Sequence, residues 1–161
     1  MIALDQLDAL PMTHRITIPD TFLDEMGHMN VMYYMHIFDR AAWGIFNVFG
    51  VTFKDVERTQ LGMFALRQVI TYLAEVHVGQ TVAVRSRVLA VSAKRLHFMH
   101  FMVNETTGVL ACTLEALASQ ADLRIRRSAA FPEDIRVRIE ALVEAHSQLG
   151  WDAPVSGILQ V

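Results

Sequence analysis

The chain has one cysteine in 161 residues, Cys112, so it can form no internal disulfide. That suits a reducing compartment, and the expected location is the cytoplasm. Basic charge is not in excess. Fourteen lysines and arginines against 17 acids leave a net charge of −3, which gives no electrostatic footing for nucleic acid. Long apolar runs are missing too: charges interrupt them before the roughly 18 residues a membrane span needs. Met1 to Pro11 holds Asp5 and Asp8 and no basic stretch, so no signal peptide is expected. There is no G-x-G-x-x-G and no P-loop, hence no nucleotide-fold signal. The seven histidines contain no His-x-x-x-His pair, and His97 and His100, three apart on a strand, would face opposite ways. No metal site is expected.

What is present is apolar: 53% of the residues, with a mean hydropathy of +0.30. A chain of this length fits one domain, 1–161, burying about 70% of the surface its unfolded form exposes. The apolar excess points to a large core or a buried subunit interface. Thr13 to Ile18 reads as a short strand ending at Pro19. Asn30 is a favoured N-cap, and a helix is predicted from Val31 to about Phe49, closed by Gly50. Val31, Tyr34, Met35, Phe38, Ala42, Ile45 and Phe49 recur at helical spacing, and further apolar residues widen the stripe until the helix should be buried on nearly all sides.

After a polar link, Lys54 to Gln60, four strands are predicted: Met63–Ala74, Thr81–Val91, Arg95–Val103 and Val109–Ile125. The short turn-like separators predict an antiparallel meander. Phe131-Pro132-Glu133-Asp134 opens a second helix, with proline at its first position, and Gly150 closes it. The expected fold is α+β, one long antiparallel sheet around a central helix with a peripheral C-terminal helix.

The densest chemistry lies in Asp24-Glu25-Met26-Gly27-His28-Met29-Asn30, a polar loop running into the apolar helix. A carboxylate, an imidazole and an amide sit at the positive end of a helix, whose first-turn N–H groups have no intrahelical partners. Such an end could hold a carbonyl oxygen that becomes an oxyanion while Asp24 acts on the carbon. Asp24 could equally cap its own turn. His28 could carry a proton or only brace the loop, and Asn30 could do no more than cap the helix.

This order of elements with this loop resembles the hotdog-fold acyl-CoA thioesterases of the 4-hydroxybenzoyl-CoA thioesterase type. The resemblance rests on Asp24-x-x-Gly27-His28-Met29-Asn30, Tyr34, Phe38-Asp39-Arg40-Ala41 and Tyr72-x-x-Glu75-x-x-x-Gly79-Gln80, and covers roughly residues 13 to 126. The Gly-His-Met-Asn-Val-x-Tyr-Tyr version looks nearest to thioesterases of carnitine and betaine breakdown. It implies a hotdog fold and hydrolysis of an acyl-CoA to free acid and coenzyme A, with no metal or redox cofactor. Asp24 would be nucleophile or general base, with His28 and Asn30 beside it, and the backbone N–H groups of Val31 and Met32 would polarise the thioester carbonyl. Phe22 and Val31 depart from the pattern, since many members carry an acid two positions before the aspartate and others a polar residue at the helix start.

A pocket lined by Met29, Met32, Met35 and Phe38 is expected to take a small or flat acyl group. Asp39 is read as buried, either paired with an arginine or facing a cationic acyl group. Coenzyme A carries phosphates, for which Lys94 and Arg95 are the candidate partners, with Arg126 and Arg127 as others. A homodimer or dimer of dimers is expected, with active sites between subunits. Two other readings stay open: a non-catalytic acyl-CoA-binding hotdog, and a hotdog hydratase or dehydratase.

Overall fold

A computed structural model describes residues 2–161. The elements run α1 (Leu4–Leu7), β1 (Met12–Thr17), a 3₁₀ turn (Asp20–Phe22), α2 (Val31–Val48), α3 (Phe53–Thr59), β2 (Leu61–Tyr72), β3 (Thr81–Val91), β4 (Arg95–Asn104), β5 (Val109–Asp122), β6 (Arg127–Ser128) and α4 (Glu133–Ser147). The α+β content matches expectation, and the four long strands start and stop within three residues of their predicted ends. The predicted polar link is instead the helix α3. Thr52 accepts the Asp55 N–H at 3.2 Å, and the Asp55 carboxylate accepts the Thr52 N–H at 3.0 Å, a reciprocal cap that starts the turn. In α4, Pro132 stands at the N-cap and the helix stops at Ser147, short of Gly150.

The sheet order is β1-β3-β4-β5-β2, with β6 on β5. β1 and β3 pair antiparallel, Ile16 opposite Val82 and Thr17 opposite Thr81. The predicted meander holds for β3, β4 and β5, but β2 lies beside β5 rather than β3. Residues 73–80 are therefore a crossover and not a hairpin turn. Their hydrogen bonds show where the segment goes. Leu73 and Ala74 donate to the Ala111 carbonyl, Val76 accepts from Met29 at 2.7 Å, and Gln80 accepts from Ile18 at 2.8 Å.

By packing, the chain divides into two compact units. The first takes residues up to Ile45, with Ile70–Ser86 and His100–Leu114. Its core sets Tyr34, Ile37, Phe38 and Ala41 of α2 against Val82 and Val84 of β3, Met102 of β4 and Ala111, Cys112 and Leu114 of β5. Gly44 permits a close approach of α2 to β1, because a Cβ there would land on the Thr13 carbonyl oxygen. The expected all-round burial of α2 is corrected: Val31, Met32, His36, Asp39 and Arg40 are exposed in this chain, and only one stripe is buried. Periodicity had counted Val31 and Met32 as core, but they sit on the outer face of the first turn.

The second unit takes Phe46–Val69, Arg87–Met99 and Glu115–Val161. Phe46 meets Phe49 and, edge-on, Phe98. α4 buries Ile139, and His146 at its end accepts the Val88 N–H at 2.9 Å. Among the described residues, no helix is long and apolar enough to cross a membrane.

Candidate active site

The loop before α2 closes on itself through its backbone. Leu23 bridges Met29, the Asp24 N–H donates to the His28 carbonyl at 3.0 Å, and Gly27 turns the corner at φ +89°, where only glycine is unstrained. The Asp24 side chain is held inside this loop. Its Oδ1 accepts the Met26 N–H at 2.8 Å and the His28 N–H at 3.4 Å, and its Oδ2 lies 3.2 Å from His28 Nδ1. Both readings of Asp24 thus describe the same geometry: it caps the turn, and it presents a fixed carboxylate whose side chain is 13% exposed. His28, 31% exposed, sets its Nδ1 beside that carboxylate and braces the loop.

Asn30 ends the loop as an N-cap. Its Oδ1 accepts the Met32 N–H at 3.0 Å, and its carbonyl accepts from Tyr33. The Met32 N–H is therefore already engaged, and the Met32 side chain is 62% exposed. Val31 N–H makes no hydrogen bond among the described residues, so of the two expected donors it is the unengaged one. The crossover braces the loop from the other side, with Val76 accepting from Met29 and Gly27 accepting from His77 Nδ1–H at 3.2 Å.

A cavity of about 460 Å³ opens here. Asp24, Glu25, His28, Met29, Asn30, Val31 and Tyr34 line it from the loop and α2, and Tyr72, Leu73, Ala74 and Glu75 from the end of β2 and the crossover. Tyr34 and Tyr72 meet edge to face, centroids 5.1 Å apart at 88°. Burial raises the pKa of both phenols, and for Tyr34 a hydrogen bond with the Val76 backbone works against that rise. Asp24, Glu25 and Glu75 give the lining three carboxylates, and it has no lysine or arginine.

The expected pocket residues separate. Met29 lines the cavity, but Met35 packs against the core, Phe38 is fully buried in it with its ring stacked on His100, and Asp39 is exposed. The helix turns these three side chains away from the loop. Lys94 and Arg95 belong to the second unit, at the turn between β3 and β4, and do not line this cavity. Sequence reasoning missed Tyr72 and Leu73 as lining residues. The Tyr72-x-x-Glu75 spacing was the available signal, but its meaning depends on the crossover.

The family model of the thioesterase-like superfamily matches residues 18–139. The chain belongs to the thioesterase-like superfamily. Among this superfamily member's relatives is the betainyl-CoA thioesterase of Pseudomonas aeruginosa, 28% identical over 137 residues, 85% of this chain and 86% of that protein. A Staphylococcus aureus protein solved in complex with CoA superposes with a TM-score of 0.82 at 25% identity, covering 94% of this chain and 96% of that one. The DHNA-CoA thioesterase of Staphylococcus aureus shares the fold, with a TM-score of 0.75 at 18% identity over 87% of this chain and 95% of that one. The thioesterase-like chain thus has the hotdog fold expected of it. Acyl-CoA thioesterase activity is the function its relatives' names support, and those relatives are hydrolases of thioesters.

Proposed function

We propose that this protein hydrolyses a small acyl-CoA thioester to the free acid and coenzyme A in the Asp24 cavity. The observation that carries this reading is a carboxylate pinned by two backbone N–H groups and an imidazole, in one cavity with an unengaged first-turn N–H. A thioester carbonyl pointing at Val31 N–H would have its developing negative charge stabilised by that donor and the helix dipole. Asp24 then either attacks the carbonyl carbon or takes a proton from the attacking water. In the base-catalysed form a C–O bond forms, the C–S bond breaks, and the thiolate leaves carrying the electron pair. With a thiol pKa near 8.5, that leaving group needs little help from an acid, so His28 serves chiefly to hold the carboxylate. The steps use side chains, backbone donors and water.

The lining also suggests which acyl group is accepted. Three carboxylates with no basic residue, and two perpendicular tyrosine rings, favour a compact cation over a carboxylate or a long chain. The name of the betainyl-CoA relative agrees with that preference. The exposed Met26, Met32 and Leu73 beside the cavity support a dimer or dimer of dimers.

The test is thiol release from betainyl-, acetyl- and benzoyl-CoA by wild type and Asp24→Asn, with hydration of an enoyl-CoA measured alongside. We expect the cationic substrate to be preferred and the variant to lose at least about 100-fold in turnover while still binding coenzyme A. Full activity in Asp24→Asn would refute the assignment. Binding without turnover of any thioester would favour the non-catalytic reading, and water addition to the enoyl-CoA the hydratase.

A further inference from the structure

The second unit has a cavity of about 490 Å³ that shares no lining residue with the Asp24 cavity. Val51, Leu61, Met63 and Ile135 give it apolar walls from the loop after α2, from β2 and from α4. Gln120 of β5 lines it too and is 6% exposed. The Gln120 backbone is engaged on both sides, its N–H donating to the Lys94 carbonyl at 2.8 Å and its carbonyl accepting from Ala129 at 3.0 Å. Its carboxamide has no hydrogen-bond partner among the described residues. An amide holds two donors and an acceptor, and leaving them unmade inside a protein is costly. This amide opens onto a cavity, so its partners come from whatever enters there.

Charge stands nearer the mouth, where the Arg58 and Arg138 side chains are both more than half exposed. Asp55, beside Arg58, is spent: its carboxylate accepts from the Thr52 N–H, the Thr52 hydroxyl and Arg58 Nη2–H. Asp134 is not, since among the described residues it meets only Arg138 Nη2–H, at 3.4 Å. Gly50 places Arg138, because a Cβ on that glycine would land on the guanidinium. The Nε–H and Nη1–H groups of both arginines donate to no described residue. The mouth thus offers free guanidinium donors beside a loosely held carboxylate. A phosphate fits it poorly, because two carboxylates would face its charge. A carboxylate and an ammonium a few bonds apart fit both halves, the one on a guanidinium fork and the other against Asp134.

We propose that this cavity binds a small zwitterion of the α-amino-acid class. Arg138, Arg58 and Asp134 hold its charged end, and its side chain runs along the apolar walls toward Gln120. The proposal does not depend on the acyl-CoA reading, since no residue of the Asp24 cavity takes part.

Ligand-observed NMR titration of the whole chain with L-glutamine and L-leucine tests it. L-glutamine should bind saturably with a Kd on the order of 1 mM, ordinary for so small a ligand. Glutaramate, which is glutamine without its amino group, should bind at least about tenfold more weakly. Arg138→Gln should weaken both amino acids at least about tenfold and keep the wild-type melting temperature, its ion pair being exposed and long. Gln120→Leu should weaken L-glutamine and leave L-leucine unchanged, a split that general loss of structure would not produce. No saturable binding of either amino acid to wild type would overturn the proposal. So would glutaramate binding as tightly as glutamine, or equal affinities in wild type and Arg138→Gln.

Discussion

Asn30 shows how one side chain can fix the start of a helix. Its Oδ1 ties down the Met32 N–H, while the neighbouring Val31 N–H stays unengaged. Asn30→Ala should cost about 1 kcal/mol, as loss of an N-cap does, while Asn30→Ser should retain most of that stability because serine also caps. Urea midpoints for the two variants check this, and an alanine variant as stable as wild type would show that the cap contributes nothing. At this scale the sequence was most legible. Asp24, His28 and Asn30 lie within seven residues, and a turn closed by Gly27 brings them together by local geometry alone. Met35, Phe38 and Asp39 were misplaced because helical spacing tells which residues share a face but not what that face meets.

For whole elements, the contact between α2 and β1 has a consequence that runs against helix propensity. Alanine is about 1 kcal/mol better than glycine inside a helix, so Gly44→Ala read from sequence alone should stabilise the protein. The structure reverses the sign. The new Cβ would strike the Thr13 carbonyl, with the Thr13 Cβ and carbonyl carbon each 2.7 Å away, and backbone cannot rotate out of the way. We expect destabilisation of about 2–3 kcal/mol, in the range of core overpacking. A melting temperature at or above wild type would contradict it. The placement of β2 teaches the same lesson. Its residues read as a strand from their own pattern, but pairing with β5 instead of β3 is a choice between partners distant in sequence, and strand alternation is silent about that.

At the scale of the molecule, two buried groups each lower stability at one end of the pH range. Burial pushes His100 down to about 3, while its Nδ1 lies 2.6 Å from Ser86 Oγ in a chain that continues to Thr13. Between pH 6.5 and about 3 the unfolded chain therefore binds a proton that the folded chain refuses, and stability falls as pH drops. Burial pushes Cys112 up to about 12 from 9. Above pH 9 the unfolded chain gives up a proton that the folded one keeps, so stability falls again as pH rises. Each group contributes at most about 1.4 kcal/mol per pH unit across its window. Urea midpoints at pH 4, 7 and 10 should be highest at pH 7, and Cys112→Ala should flatten the alkaline side. A wild-type midpoint at pH 10 no lower than at pH 7 would remove Cys112 from the account.

The sequence by itself determined whatever depends on neighbours along the chain: the α2 start at Asn30, the boundaries of the long strands, the loop that carries Asp24, and a family resemblance resting on those local motifs. Periodicity, capping and turn chemistry act over a few residues, so they can be read in order. Only the tertiary structure decided which residues from distant segments meet. It brought Tyr72 and Glu75 to the wall opposite Asp24, gathered Arg58, Gln120 and Arg138 around one cavity, and left one face of α2 exposed. Those meetings follow from the crossover of residues 73–80 and from the pairing of β2 with β5. They are fixed by burying one set of surfaces against another, a comparison among whole arrangements that no local pattern contains.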